Sequence, residues 1–208
     1  MKSNGVIDGY AAVAESLIAR YEALSCEEIY QHVMDMFPQA PARIIDIGAG
    51  TGRDAGWLAA RGYTVTAVEP VPAFRAAARQ LHAGKGIVCV DDRLPALASV
   101  RSMGEQFDVL LLGGVWHHLP VTEQDTAWVA LADLMAPGAV AILSLRHGPG
   151  VPGRPAFEVD DDRLARSAGR QGLFEVRRVP ADSIQAGNRA AAVSWTWLVL
   201  QMKRAGSP

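Results

Sequence analysis

Three glycines, Gly48, Gly50 and Gly52, follow the apolar run RIIDI, and an acid, Glu69, closes a second apolar run, YTVTAVE. Glycines at a strand-to-helix turn let the backbone approach a ligand closely, and the next helix presents unpaired N–H groups with positive dipole character. An acid about 20 residues further on, at the end of the second strand, accepts hydrogen bonds from two ribose hydroxyls. Such a turn suits a nucleotide-type cofactor, and the glycine spacing separates two classes. A dinucleotide turn reads G-x-G-x-x-G; here the pattern is G-x-G-x-G, and Arg53 stands where the third glycine would be. Asp54 adds a carboxylate in the first helical turn, which repels a pyrophosphate but can receive the ammonium of an amino-acid moiety, directly or through water. That favours S-adenosylmethionine over NAD.

A second group of chemical residues follows the run FDVLLL, in LLGGVWHHLP. Gly113 and Gly114 allow close approach to a ligand, and Trp116, His117 and His118 lie where an acceptor would meet it. A histidine titrating near neutrality can take a proton from a hydroxyl or a protonated amine. Neighbouring side chains point apart, so one of the pair can instead pack against Trp116 or bond backbone. Trp116 can shape the pocket, face a cation, or sit in the core. The loop RHGPGVPGR brings Arg146, His147 and Arg154. These residues can recognise an anionic acceptor, although Gly- and Pro-rich loops also serve as plain surface connections. VDDRLP offers Asp91 and Asp92, a polar turn or an adenine contact.

These groups need strands to carry them and helices between. Short β-rich runs alternate with helical stretches from Ala42 onward, the arrangement of a parallel sheet covered on both faces. Strands are expected at 43–47, 63–69, 86–90, 107–112 and 139–145. Helices are expected from Arg53 to Arg61, Pro72 to His82 and Glu123 to Met135, the last closed by a Pro137-Gly138 turn, with a short one between Ala96 and Gln106. Before the sheet, YAAVAESLIARYEAL reads as one helix, and SCEEIYQHVMDMF as a second with Ser25 and Glu28 forming a capping box. These residues, 1–40, form a helical cap on a domain running from 41 to 208. After a helix around Asp160 to Gln171, FEVRRV and AVSWTWLVLQMK read as two strands with no helix between. An antiparallel pair follows, giving a mostly parallel sheet with one reversed strand in its edge region. Trp195 and Trp197, alternating on the last strand, are expected to pack the sheet or an oligomer face.

Half of the 208 residues are hydrophobic, a fifth are charged, and the net charge is −2, the profile of an ordinary globular domain. Lys and Arg are scattered among the acids, against the basic face of a nucleic-acid binder. Cys26 and Cys89 read as reduced core thiols, expected in a helix and a buried strand, and no cluster has metal-ligand spacing. The sequence shows neither a signal-peptide pattern nor the ~18 apolar residues of a membrane span, so a cytoplasmic location away from membranes is expected.

DIGAGTG, Glu69 and the acidic pair in VDDRLP resemble the cofactor motifs of class I S-adenosylmethionine-dependent methyltransferases of the small-molecule type, over about residues 42–145. The resemblance implies a Rossmann-like α/β fold, doubly wound, with seven strands in the order 3-2-1-4-5-7-6. It implies a cofactor site at Asp46, Gly48, Ala49, Gly50, Thr51 and Asp54 for the methionine part and Glu69 and Pro70 for the ribose. Asp92, or its neighbour Asp91, would meet the adenine, and Gly113 and Gly114 would lie below the sulfonium. S-adenosylhomocysteine would be the product. His117 and His118 remain candidate bases, and Trp116, Arg146 and His147 candidate acceptor contacts. The acceptor is expected to be a metabolite, since GVWH stands where a nucleic-acid methyltransferase carries N-P-P-[YF], and the protein a monomer or homodimer. The cap can act as a lid or merely cover the sheet. Two alternatives stay open: a binding module that retains the cofactor pocket without turnover, and a nicotinamide-dependent oxidoreductase, which the missing third glycine and the lack of a Tyr-x-x-x-Lys pair oppose.

Overall fold

A computed structural model describes residues 4–204. Aliphatic and β-branched runs form seven strands: β1 (Arg43–Ile47), β2 (Thr64–Val68), β3 (Val88–Val90), β4 (Phe107–Gly113), β5 (Met135–His147), β6 (Leu173–Asp182) and β7 (Ser194–Met202). They make one sheet in the order β3-β2-β1-β4-β5-β7-β6. β7 alone is reversed, antiparallel to both β5 and β6. It lies one place in from the edge, so the outermost strand β6 again runs with the others.

Three helices precede the sheet: α1 (Asn4–Ala11), α2 (Ala14–Glu22) and α3 (Cys26–Tyr30). The others are α4 (Arg53–Ala59), α5 (Pro72–Leu81), α6 (Ala98–Ser102), α7 (Val121–Asp133), α8 (Asp161–Gly169) and α9 (Ala186–Ala190). Side chains alternate across each strand, and the core divides accordingly. On one face Ile45, Ile47, Leu110 and Leu112 pack with Trp116, with Trp128 of α7 and with Leu164 of α8. On the other, Ile44, Val109 and Leu111 pack with Cys26 and Tyr30 of α3 and Leu58 of α4.

Several boundaries differ from the sequence reading, each for a local reason. The first expected helix is broken at Ala12–Val13, where Val13 leaves helical geometry at ψ 11°. The break ends α1 before Ala14 and Leu17 of α2, which pack on Val71 and Phe74. Ser25 caps α3 as expected, accepting from Glu28 N at 3.2 Å, but the helix stops at Tyr30 so that the following turn can bury Val33. The expected Pro137-Gly138 turn lies inside β5. The register shifts between the pairs Phe107–Met135 and Val109–Val140, and the extra residues, on the β5 side, include Pro137 and Gly138 at φ +84°, which lets the pairing start at Met135. Cys89 is only half-buried because β3 is an edge strand.

Candidate active site

β1 and β4 lie side by side, and the chain departs from them in opposite directions along the sheet, which leaves a crevice at their carboxyl ends. A cavity of about 420 Å³ opens there. Its first half is the glycine turn. Gly48 N and Ala49 N donate to Val68 O of β2 at 2.8 and 3.0 Å, so the turn is tied to the next strand. Gly48 stands at φ +76°, and a Cβ there would lie 2.4 Å from Val115 Cγ2. Gly50 faces open space, with the Tyr21 ring nearest at 4.0 Å from the same hypothetical atom. Ala49, Thr51 and Pro70 complete the lining, and the Thr51 hydroxyl reaches α2 by donating to Glu22 Oε1 at 2.5 Å.

Glu69 is held by two backbone donors, Gly50 N to Oε2 and Val71 N to Oε1, both at 2.8 Å. Burial pushes its pKa up, and those two donors oppose the rise. Asp54 accepts from both arms of Arg53, at 2.7 and 2.8 Å, from the Tyr30 hydroxyl at 2.8 Å and from the Cys26 thiol at 3.2 Å. Asp46 is 2% exposed, and its Oδ2 has no hydrogen-bond partner. Burial, then the charge of Asp54, push its pKa well up. Asp92 lines the cavity and accepts from Arg93 N at 2.8 Å and, across the loop, from Val100 N of α6 at 3.0 Å. Asp91 does not line it: exposed, it pairs with Arg75 at 2.6 Å.

The second half carries basic groups. His118 Nδ1 lies 2.9 Å from Pro155 O and its Nε2 lies 3.0 Å from the Tyr10 hydroxyl. A carbonyl only accepts, so Nδ1 bears the hydrogen and Nε2 is the free base that accepts from Tyr10. His117 lies against His118, ring centroids 4.0 Å apart, with its Nδ1 buried and unpartnered. Burial lowers the pKa of both histidines and raises that of Tyr10. Gly114 N donates to Ser144 Oγ at 2.9 Å, and the Trp195 ring lies 3.3 Å from the place of a Cβ on Gly114. Gly113 lines the cavity beside it.

Two expected acceptor contacts lie elsewhere. Trp116 is 1% exposed and packs on Trp128 at a centroid distance of 5.0 Å; its indole belongs to the core, the bulkiest apolar side chain of that segment. His147 does not line the cavity, and its Nε2 bonds Thr196 Oγ1 at 2.9 Å next to Asp161. Strand alternation explains the split, since Ser144 and Arg146 share one face of β5 and His147 takes the other. Trp195 and Trp197, expected to pack the sheet or an oligomer face, both line the cavity, and Trp197 also packs the sheet core against Tyr30 as expected. They stand opposite Arg146 and Ser144 in the β5–β7 register. Alternation put the two tryptophans on one face, but only the register shows which. Val6 and Ile7 of α1 and Leu17 and Leu24 of the α2 region also line the cavity, so the cap roofs the cleft.

Residues 45–141 match the family model described as a methyltransferase domain. An 82-residue stretch, 39% of this chain, is 39% identical to a ubiquinone biosynthesis O-methyltransferase of Methylobacterium nodulans, spanning about a third (32%) of that relative's length. Among solved structures, the 1,6-didemethyltoxoflavin-N1-methyltransferase of Burkholderia thailandensis, with its acceptor and S-adenosylhomocysteine bound, superposes with a TM-score of 0.71 at 19% identity, covering 96% of this chain and 88% of that one. A [4+2]-cyclase superposes at 0.72 and 13% identity, covering 99% and 98%. At such identities the likeness is one of fold, and the fold hosts more than one chemistry. Among the described residues, no helix is long and apolar enough to cross a membrane.

Proposed function

We propose, from the match of residues 45–141 to a methyltransferase-domain model, an enzyme that moves the methyl group of S-adenosylmethionine to a small-molecule acceptor and releases S-adenosylhomocysteine. The observation that carries this reading is the charge around the glycine turn. Asp46, Asp54 and Glu69 influence one another there with Arg53 as the cation among them, and one buried carboxylate oxygen of Asp46 lacks a partner. A pyrophosphate would be repelled from such a place, whereas a ligand with an ammonium and a sulfonium is attracted.

The residues fit that ligand. Glu69, fixed by Gly50 and Val71, retains lone pairs for two ribose hydroxyls. Asp92 keeps acceptor capacity for an exocyclic amine, and the Asp54 carboxylate lines the cavity where the amino-acid part would lie, while Asp46 is buried behind the lining. When bound, the cofactor supplies an electrophilic methyl carbon whose bonding pair leaves with sulfur. Gly113 and Gly114 line the cavity without side chains and would leave room for that part of the ligand, and the cap residues over the cleft would exclude water and favour in-line approach of the nucleophile.

Of the two histidines, His118 is the base. His117 has no acceptor for its buried Nδ1 and lies deeper, at 5% exposure. His118 is oriented by Pro155 and linked through its free Nε2 to Tyr10. As the acceptor oxygen or nitrogen bonds to the methyl group, its proton passes to the Tyr10 oxygen while the Tyr10 proton moves to His118 Nε2. Tyr10 lies on the cap, so the relay exists only with the cap closed.

Calorimetric titration with S-adenosylhomocysteine, S-adenosylmethionine and NAD tests the cofactor. Binding of the first two without NAD is expected, and binding of NAD alone overturns the reading. With an identified hydroxyl or amine acceptor, H118A should lower kcat by about a hundredfold or more, while cofactor affinity holds. A loss under about tenfold removes His118 from that role.

A further inference from the structure

Beyond the glycine turn, the cleft has a charge imbalance that the cofactor does not answer. Arg146, on the cleft face of β5, bonds only Gly148 O, at 3.3 Å. Arg154, on the loop that follows, lies over the Tyr10 ring at 5.0 Å. Both line the cavity and are half-buried, and neither has a carboxylate within ion-pair distance among the described residues. The acids that line the same cavity are engaged or distant. Asp54 is bound to Arg53, and Glu69 and Asp92 are held by backbone donors; Asp182, exposed at the end of β6, forms no ion pair with either arginine. Burial and the nearby Arg154 push the pKa of Arg146 down, and both arginines depress that of His118. Two partly desolvated cations beside two neutral histidines are costly unless an anion joins them.

We infer that the acceptor is a small molecule with an apolar or aromatic body and an anionic group, held by Arg146 and Arg154 with its body against Trp195 and Val151 and its nucleophile toward Tyr10 and His118. The inference rests on the methyltransferase reading for the nucleophile's position, and on the cleft alone for the anion. Arg146 stands directly opposite Trp195 in the β5–β7 register, so a cation and a flat apolar ring lie side by side on one wall. A planar carboxylate suits the guanidinium fork, and a phosphate ester shares the same chemistry.

The test uses matched pairs that differ only in charge: the three hydroxybenzoates and the three aminobenzoates against their primary amides, with phenyl phosphate alongside. Each is titrated calorimetrically into the full chain saturated with S-adenosylhomocysteine. At least one carboxylate should bind about tenfold or more tighter than its amide. Arg146→Gln and Arg154→Gln should each reduce that preference, and together abolish it, with affinity for S-adenosylhomocysteine unchanged in every variant. Phenyl phosphate exceeding every carboxylate assigns the same clamp to a phosphate ester. The inference is overturned if no anion gains over its neutral partner, or if the preference survives both substitutions. Should S-adenosylhomocysteine fail to bind the unaltered protein, the cofactor reading falls instead, and the same pairs titrated without it still decide the anion clamp.

Discussion

At the glycine turn the cleft carries acids: Asp54, paired with Arg53, and Glu69 line it, and Asp46 is buried behind them with one carboxylate oxygen unpartnered. At the far end it is basic: Arg146 and Arg154 stand near two neutral histidines with, among the described residues, no carboxylate in ion-pair reach. The difference teaches that one cavity presents each sign to a separate ligand. A cationic cofactor is drawn to one end and an anionic acceptor to the other, and their opposite charges favour approach in a pocket of low dielectric. It also gives each end its own failure mode, so the two can be broken separately.

The largest break is expected at Gly48. Alanine there meets Val115 Cγ2 at 2.4 Å and must hold φ +76°. Strain and overpacking of this kind cost about 2–4 kcal/mol. Thermal denaturation should show that loss, and calorimetry a fall in S-adenosylhomocysteine affinity of about a hundredfold or more. Next comes Glu69→Ala, which removes an acceptor and strands the Gly50 and Val71 amides; about 1–3 kcal/mol of cofactor affinity is expected to go. The preference of the basic end for benzoates over benzamides should persist, and its disappearance would show that the two ends are not independent.

Gly9→Ala addresses the cap over the basic end. A Cβ on Gly9 would lie 1.8 Å from Gly153 O, so α1 must lift from the loop that carries Arg154. Loss of about 1–2 kcal/mol in affinity for the preferred anion is expected from such overpacking, with a smaller change in cofactor affinity. Proteolysis within α1 should quicken in parallel. An unchanged anion affinity would mean that the cap does not shape that end.

The smallest effect separates the ends by pH. Burial holds His117 and His118 below the ordinary histidine value of 6.5. The unfolded chain therefore takes up protons first as pH falls, so their contribution to stability is intact above about 6.5 and is lost as pH drops through the depressed folded values. Asp46 and Glu69, raised by burial, work with the opposite sign: the folded state binds their protons more tightly, so stability is gained as pH falls through their raised values toward the ordinary carboxylate range. Urea midpoints from pH 8 to pH 5 should thus decline less in His117→Gln than in the unaltered chain. Turnover should fall on the acid side as well, because His118 must be neutral to accept a proton.

The acidic end was legible in the sequence because it is local. From RIIDI through Glu69 the chain runs strand, glycine turn, helix, strand, and short-range geometry alone brings Gly48, Gly50, Asp54 and Glu69 together. Asp46 entered through the family pattern, but its unpartnered oxygen is a fact of packing. The basic end is built from α1, the segment after β4, the end of β5, the following loop and β7. No spacing links Tyr10 to His118, 108 residues away, or Arg146 to Trp195. Alternation along β5 could divide Arg146 from His147 but could not say which faces the cleft. Trp116 was beyond reach for the same reason: a tryptophan after a strand fits a pocket wall and a core equally well until Trp128 of α7 is packed against it.

By itself, then, the sequence determined the strand-helix alternation, the glycine turn and the acids that accompany it, since hydrophobic period, backbone freedom and short-range charge act within a few residues. Strand register, the closure of the cap and the side of the sheet each residue faces were decided by the tertiary structure alone. They depend on burying two faces of one sheet at once, and that condition joins residues which the chain keeps far apart.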